Sequence, residues 1–244
     1  MRLEGIRRYP VKGIGREALR TVTLAPDAPL PGDRAWAVTH AGCPEGEGWR
    51  PRGNFLVVAS GPDLAAVEAT SDGDRVALTH PDRPEAAFDL PGDAARLIDW
   101  VRPLWPETRP APADLRRAPE STGMPDNGIA SLSVLTRRSL DALSDAAGAA
   151  LDVARFRGNL ILDGAVAWEE FGWVGKRLRV GAATLEVIEP IGRCRATEAN
   201  PLNGRRDVNI LALLRDRFGH TDFGVYARVV DGGRIAVGDA AALS

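Results

Sequence analysis

One cysteine lies between two arginines, Arg193-Cys194-Arg195, within an irregular stretch from Pro190 to Gly204. An alternating, strand-like run from Ala183 to Glu189 precedes it, and a helical pattern resumes only at Asp207. An irregular segment after a strand is a place where a scaffold can present a reactive group. Two neighbouring guanidinium groups favour thiolate over thiol, and thiolate is the form that ligates metals. The local sequence by itself favours a plainer alternative, a small buried hydrophobe. The rest of the chain has to decide between them.

Few other residues could hold a metal unaided. The chain has 244 residues and two cysteines, Cys43 and Cys194. Two are too few for an iron–sulfur cluster, a Cys-rich zinc site or a disulfide framework. His40, His80 and His220 stand far apart without ligand spacing. A metal here must therefore arrive with a cofactor that supplies most of its ligands. Of the 31 basic residues only Lys12 and Lys176 are lysine. A compact ammonium suits a point contact with phosphate, whereas guanidinium is a planar fork, so Lys12 is of interest.

Charge and hydropathy remove several function classes. A formal net charge of -2 and a pI near 6.0 argue against nucleic acid or anionic membrane as a generic partner. The apolar runs fall far short of the ~20 residues a membrane helix requires. The N-terminal stretch, Met1 to Pro10, lacks the apolar core of a signal peptide, and a cytoplasmic protein is expected.

The elements that would position these residues are mostly short strands. Ile6 to Val11, Leu19 to Leu24, Ala35 to Thr39, Val67 to Thr70, Arg75 to Thr79 and Ala86 to Leu90 alternate or are β-branched, with turn residues between them. Phe55 to Ala59 is a continuous apolar run that reads as a buried strand. Gly13-Ile14-Gly15-Arg16-Glu17-Ala18 matches a dinucleotide-binding pattern, but a strand, not a helix, is expected after it. Ala94 to Arg102 reads as a helix capped by Asp93, and the Pro-rich stretch Arg109 to Asp114 as a boundary. Beyond it come a strand ending at Leu135, a helix with Thr136 as its N-cap, and a strand from Asn159 to Leu162. A hairpin over Gly181 follows, then a helix capped by Asp207 and a last hairpin from Phe223 to Val237. This spacing predicts a β-rich α+β chain, divided into residues 1–108 and 109–244.

Six short pieces, in order, resemble the MOSC family (molybdenum cofactor sulfurase C-terminal domain) preceded by that family's N-terminal β-barrel domain. They are Tyr9-Pro10-Val11-Lys12-Gly13, Gly32-Asp33-Arg34-Ala35-Trp36-Ala37-Val38, Leu135-Thr136-Arg137-Arg138-Ser139-Leu140, Arg155-Phe156-Arg157-Gly158-Asn159-Leu160, the cysteine segment Gly192 to Thr197 with Asn200 to Gly204, and Phe223-Gly224-Val225-Tyr226. The resemblance implies a MOSC-type β-barrel with flanking helices behind a smaller β-barrel domain. It is similar to bacterial N-hydroxylated-base reductases and to the mitochondrial amidoxime-reducing component.

That resemblance implies a molybdenum cofactor (Mo-molybdopterin) with Cys194 as the one protein ligand and catalytic residue, a role soft sulfur suits. It places Lys12 and Arg34 at the phosphate end, and Arg157 with Asn159, Thr136, Arg193 and Tyr226 among the cofactor contacts. The implied reaction is reduction of a small N-hydroxylated or N-oxide substrate, with electrons from a separate redox protein. A carrier or sulfur-transfer role without turnover is the alternative, and pyridoxal phosphate is left open as another cofactor. Read alone, Arg34 beside Asp33 is a surface ion pair, Arg157 solvates a strand edge and Asn159 caps a turn. The sequence departs from close relatives at Gly13 and Gly192, where small hydroxyls are common, and at Asn200 and Asn203. The piece Trp49-Arg50-Pro51-Arg52 is irregular and receives no role.

Overall fold

The computed structural model describes residues 1–44, 46 and 48–243. In the first half the strands are Arg2–Arg8 (β1), Val11–Lys12 (β2), Glu17–Leu19 (β3), Thr21–Leu24 (β4), Trp36–His40 (β5), Glu68–Asp72 (β6), Arg75–His80 (β7) and Arg83–Asp89 (β8), followed by helix Ala94–Val101 (α1). Next come Pro112–Arg117 (β9), Leu132–Thr136 (β10), helix Arg137–Ala147 (α2), Leu160–Asp163 (β11), Arg177–Val180 (β12) and Ala183–Gly192 (β13). A short helix Ile210–Leu213 (α3), then Asp222–Asp231 (β14), Gly233–Ala236 (β15) and Ala241–Leu243 (β16), complete the chain. No helix among the described residues is long and apolar enough to cross a membrane.

The largest sheet has eight strands in the order β16-β12-β13-β14-β10-β11-β1-β3, with β10 and β11 parallel. Period-two patterning builds its core. Leu178 and Val180 of β12 and Ala183, Leu185 and Val187 of β13 point to one face and are buried there, while their neighbours are exposed or half-buried. On the other side α2 and α3 lay Leu140, Leu143 and Ile210 against Leu135, Ile161 and Phe223. A separate core forms in the first half, where Leu97, Trp100 and Val101 of α1 pack with Trp36, Val38 and Phe88. Hydrogen-bonded strands cross the expected 108/109 division in both directions. β1 and β3 join the large sheet, and β9 pairs with β5.

Several expectations are corrected. Among the described residues the named strands form no continuously paired barrel, but an isolated bridge from Arg2 to Ala240 and the Ala241 N–H donating to Met1 O (2.9 Å) link β1 to the start of β16. Phe55 to Ala59 is not a strand. It makes one bridge, Thr39 to Phe55, then turns, with Ser60 and Gly61 N–H groups both donating to the Val57 carbonyl. Phe55, Leu56 and Val58 are buried by packing, and burial without periodicity cannot tell a strand from a buried loop. β15 does not fold back on β14 but pairs with β4, register Gly233 to Leu24. Asn209, not Asp207, caps α3 by accepting from Ala212 N–H, and the helix ends in a π turn, Leu214–Phe218, before Gly219. Asp93 precedes α1 but its carboxylate accepts from Asp89 N–H behind it. As expected, Glu17–Leu19 after Gly15 is strand, not helix.

Candidate functional site

The loops that leave β2, β5 and the cysteine segment converge with β14 on one cavity between the two cores. Its wall contains Cys194, Lys12, Arg34, Arg157, Arg193 and Tyr226 together, from both halves of the chain. Thr136 and Asn159 lie outside it.

Cys194 follows the end of β13 in extended backbone, half-buried, and its carbonyl accepts from both the N–H and the hydroxyl of Thr197 (3.1 and 3.0 Å). These bonds close the turn Arg195–Glu198 and fix the thiol's position at the wall. β13 reaches that point through three irregularities, the last two between Val187 and Glu189 and between Pro190 and Gly192. Such bulges re-aim a strand's side chains. The flanking arginines do not both face the sulfur. Arg193 donates to the carbonyls of Phe223 (2.8 Å) and Phe156 (2.9 Å) and lies over both rings, which stack at 3.8 Å. Arg195 is exposed and bonds Glu198. Arg193 thus holds the cavity wall in shape, and burial lowers its guanidinium pKa to about 10, still charged at neutral pH.

Arg34 and Arg157 are built on a shared platform. Tyr9 is fully buried, donates its hydroxyl to Gly158 O (3.2 Å), and takes the Asp33 carboxylate on its backbone N–H (2.8 Å). The Arg157 guanidinium sits 4.3 Å and that of Arg34 5.2 Å from the Tyr9 ring centre, a cation–π arrangement. Arg34 also pairs with Asp33 and donates to the Arg157 carbonyl (3.2 Å). The ion pair is real, but it is buried, not a surface pair. Both arginines have left-handed backbone, φ 50° and 47°. Only Asp27 and Trp168 share that feature among non-glycine residues described. Backbone strain of this kind, on the order of 1–3 kcal/mol per residue, collects at functional sites. Arg157 is lowered to about 10 by burial, with Arg34 adding repulsion, and its Nη2 is buried with no hydrogen-bond partner among the described residues.

Lys12 is 2% exposed, and its ammonium donates to Met124 O (2.8 Å) and to the Asp126 carboxylate. Burial lowers its pKa, and Asp126 opposes that shift. Gly13 beside it has φ +75°, and a Cβ there would fall 2.3 Å from the Leu56 carbonyl oxygen. The turn that carries Lys12 passes so close to the Phe55–Ala59 loop that a serine cannot replace this glycine without movement.

The two residues outside the cavity have other partners. Asn159 accepts from Ser133 N–H (3.0 Å) and donates to Arg7 O (3.2 Å), stitching β1 to β10. Thr136 stands at the start of α2 but donates to Ser139 Oγ (2.7 Å), which donates to the buried Glu170 carboxylate (2.9 Å). Three charged residues of the cavity wall carried no assigned role in the sequence: Arg52, Asp126 and Arg155. Arg155 was visible as part of a motif. It ties the wall to Asp207 (2.7 Å) and to the Glu198 carbonyl (3.2 Å). Arg52 and Asp126 lie in irregular Pro- and Gly-containing stretches that offer no spacing signal.

Fold and site together define a two-part β-rich protein with a cationic, thiol-bearing cavity between its parts. Residues 128–242 match the MOSC domain and residues 1–102 the MOSC N-terminal beta barrel domain. The chain belongs to the MOSC-domain family, with that N-terminal domain in front. Among curated proteins none matches. Among solved structures the chain is similar to the YUAD protein from Bacillus subtilis at 10% identity, over 99% of this chain and 94% of that one, with a TM-score of 0.48. It is also similar to YiiM from Geobacillus stearothermophilus (20% identity, 46% of this chain, 53% of that one, TM-score 0.37). YiiM from Escherichia coli gives 19%, 46%, 53% and 0.35. The chain spans about half the length of the two YiiM structures it matches.

Proposed function

We propose that the protein binds a molybdenum cofactor in this cavity and reduces N-hydroxylated or N-oxide compounds by oxygen-atom abstraction. The observation that carries the reading is the company Cys194 keeps. Among the described residues six basic side chains line its cavity against one carboxylate, and a buried Arg157 Nη2 there has no partner. One soft sulfur donor and an excess of cations suit a sulfur-bound metal group with an anionic tail. Cys194 would supply the single protein ligand, Lys12 and Arg34 would hold the phosphate end, and Arg157 would contact the cofactor. When bound, the group supplies molybdenum oxygen-atom-transfer chemistry. Arg193 keeps the wall rigid around the sulfur. Burial raises the Tyr226 pKa, with Arg193 opposing, so the phenol at the wall keeps its proton at neutral pH and stays a hydrogen-bond donor. The two electrons would come from a separate redox protein.

The test is molybdenum and pterin analysis of protein purified from a cofactor-competent host, with N–O reduction assayed by a chemical reductant. Molybdenum, pterin and turnover together support the reading. Molybdenum and pterin without turnover would support a carrier instead, and absence of both contradicts it.

A further inference from the structure

Among the described residues the only carboxylate in the cavity wall, Asp126, sits on the cation assigned to the phosphate end. Asp126 takes the ammonium of Lys12 on Oδ1, and the Arg52 guanidinium lies 4.0 Å from its Oδ2. Lys12 is buried, whereas the Asp126 side chain is 49% exposed. A buried ammonium is destabilising unless paired, so some anion must attend Lys12 when nothing is bound. Burial would raise the Asp126 pKa, but Lys12, Arg34 and Arg52 outweigh it and keep the carboxylate ionised.

The segment that carries Asp126 is anchored on both sides of it, not at it. Met124 is buried beside Ala37 and Phe55, and its N–H donates to the Arg34 carbonyl (3.2 Å). Trp49 Nε1 donates to Pro125 O (2.8 Å), and the Trp49 ring stands against Gly128. The aspartate side chain between these anchors points into the cavity from the solvent side. The cavity is open to solvent at this end, and the half-exposed carboxylate is the group in its wall able to turn outward.

We propose that Asp126 is a built-in counter-anion occupying the phosphate seat, and that an incoming phosphate must displace its carboxylate from Lys12 and Arg52. This rests on reading the cavity as an anion-binding cofactor site. The exchange leaves Lys12 paired at every stage: with Asp126 when empty, with phosphate when filled. It also makes retention selective, because an anion weaker than a phosphate does not outcompete a carboxylate already in place.

The experiment is calorimetric titration of inorganic phosphate into the full chain, expressed in a host that makes no pterin cofactor. Wild type, Asp126→Asn, Asp126→Glu and Lys12→Gln are compared. Asp126→Asn is expected to bind phosphate about tenfold more tightly than wild type, since a competing charge is gone. Asp126→Glu should stay near wild type and Lys12→Gln should lose the site. Phosphate should also raise the melting temperature of Asp126→Asn more than that of wild type, which covers an Asn variant that is weakly folded on its own. Unchanged or weaker binding in Asp126→Asn, or failure of that variant to fold even with phosphate, would overturn the proposal and leave Asp126 a structural strut. Binding in wild type with no gain in Asp126→Asn sinks this inference alone. No phosphate binding in any variant removes the anion seat itself, and the cofactor reading with it.

Discussion

At Arg157 three unfavourable features meet. Its backbone is left-handed, burial lowers its guanidinium pKa to about 10, and one of its nitrogens has no partner among the described residues. The left-handed backbone closes the turn Val153–Phe156, where Arg157 N–H donates to Ala154 O (3.1 Å), and on the proposed reading the partnerless buried nitrogen is the feature a ligand would answer. Glycine adopts this backbone without strain. Arg157→Gly is therefore expected to hold the melting temperature or raise it by a few degrees, while pterin content falls several-fold. Calorimetry and fluorescence of released pterin on the same samples check this. A lower melting temperature with unchanged pterin would make Arg157 structural. The thiol and its basic surroundings were legible in the sequence because motifs carried them. Cys194, Lys12, Arg34, Arg157, Arg193 and Tyr226 share one cavity. Thr136 and Asn159 show the limit of that legibility. A hydroxyl at a helix start and an amide at a strand start look alike in sequence whether they face a ligand or bridge neighbouring elements, and here they bridge.

At the scale of elements, the turn after β2 and the start of α2 each give a test. Gly13→Ser restores the small hydroxyl of close relatives, but its Cβ would meet Leu56 backbone at a positive φ. We expect a loss of roughly 1–3 kcal/mol, seen as a melting temperature lower by several degrees. An unchanged midpoint would mean that the loop yields freely. The second test concerns Glu170, wholly buried, its pKa raised by burial against the opposing hydrogen bonds from Ser139 and Thr136, and its Oε1 without a partner among the described residues. The folded state binds this proton more tightly than the unfolded chain, so the stability it contributes is full below the unfolded pKa. That contribution is lost as pH rises through the raised folded pKa. Glu170→Gln should thus gain a few degrees over wild type at pH 8 and almost nothing at pH 4. A gain at pH 4 that vanishes at pH 8 would contradict the sign. Strands with clear alternation, such as β7, β12 and β13, were readable in advance. The partner of β15 was not, because a hairpin turn specifies that the chain reverses but not which edge the next strand meets. That choice is made by β4, 209 residues earlier at the Leu24–Gly233 pair.

For the whole molecule, two separate cores are joined by strands exchanged across the chain's midpoint, and the cationic cavity lies where they meet. Neither half alone contains both Lys12 and Cys194, so on the proposed reading cofactor retention would be a property of the intact chain. The two cysteines are an internal control. Cys43 sits in a partly exposed turn after β5, its thiol 3.6 Å from Pro44 O, and takes no part in the cavity. The most direct test is the rate of N–O reduction, driven by a chemical reductant and normalised to bound pterin, in Cys194→Ser beside Cys43→Ser. Replacing a soft thiolate by a hard, protonated hydroxyl is expected to abolish the rate in Cys194→Ser, while Cys43→Ser stays close to wild type. Retained turnover in Cys194→Ser, or loss confined to Cys43→Ser, would contradict the assignment of Cys194 as the ligand.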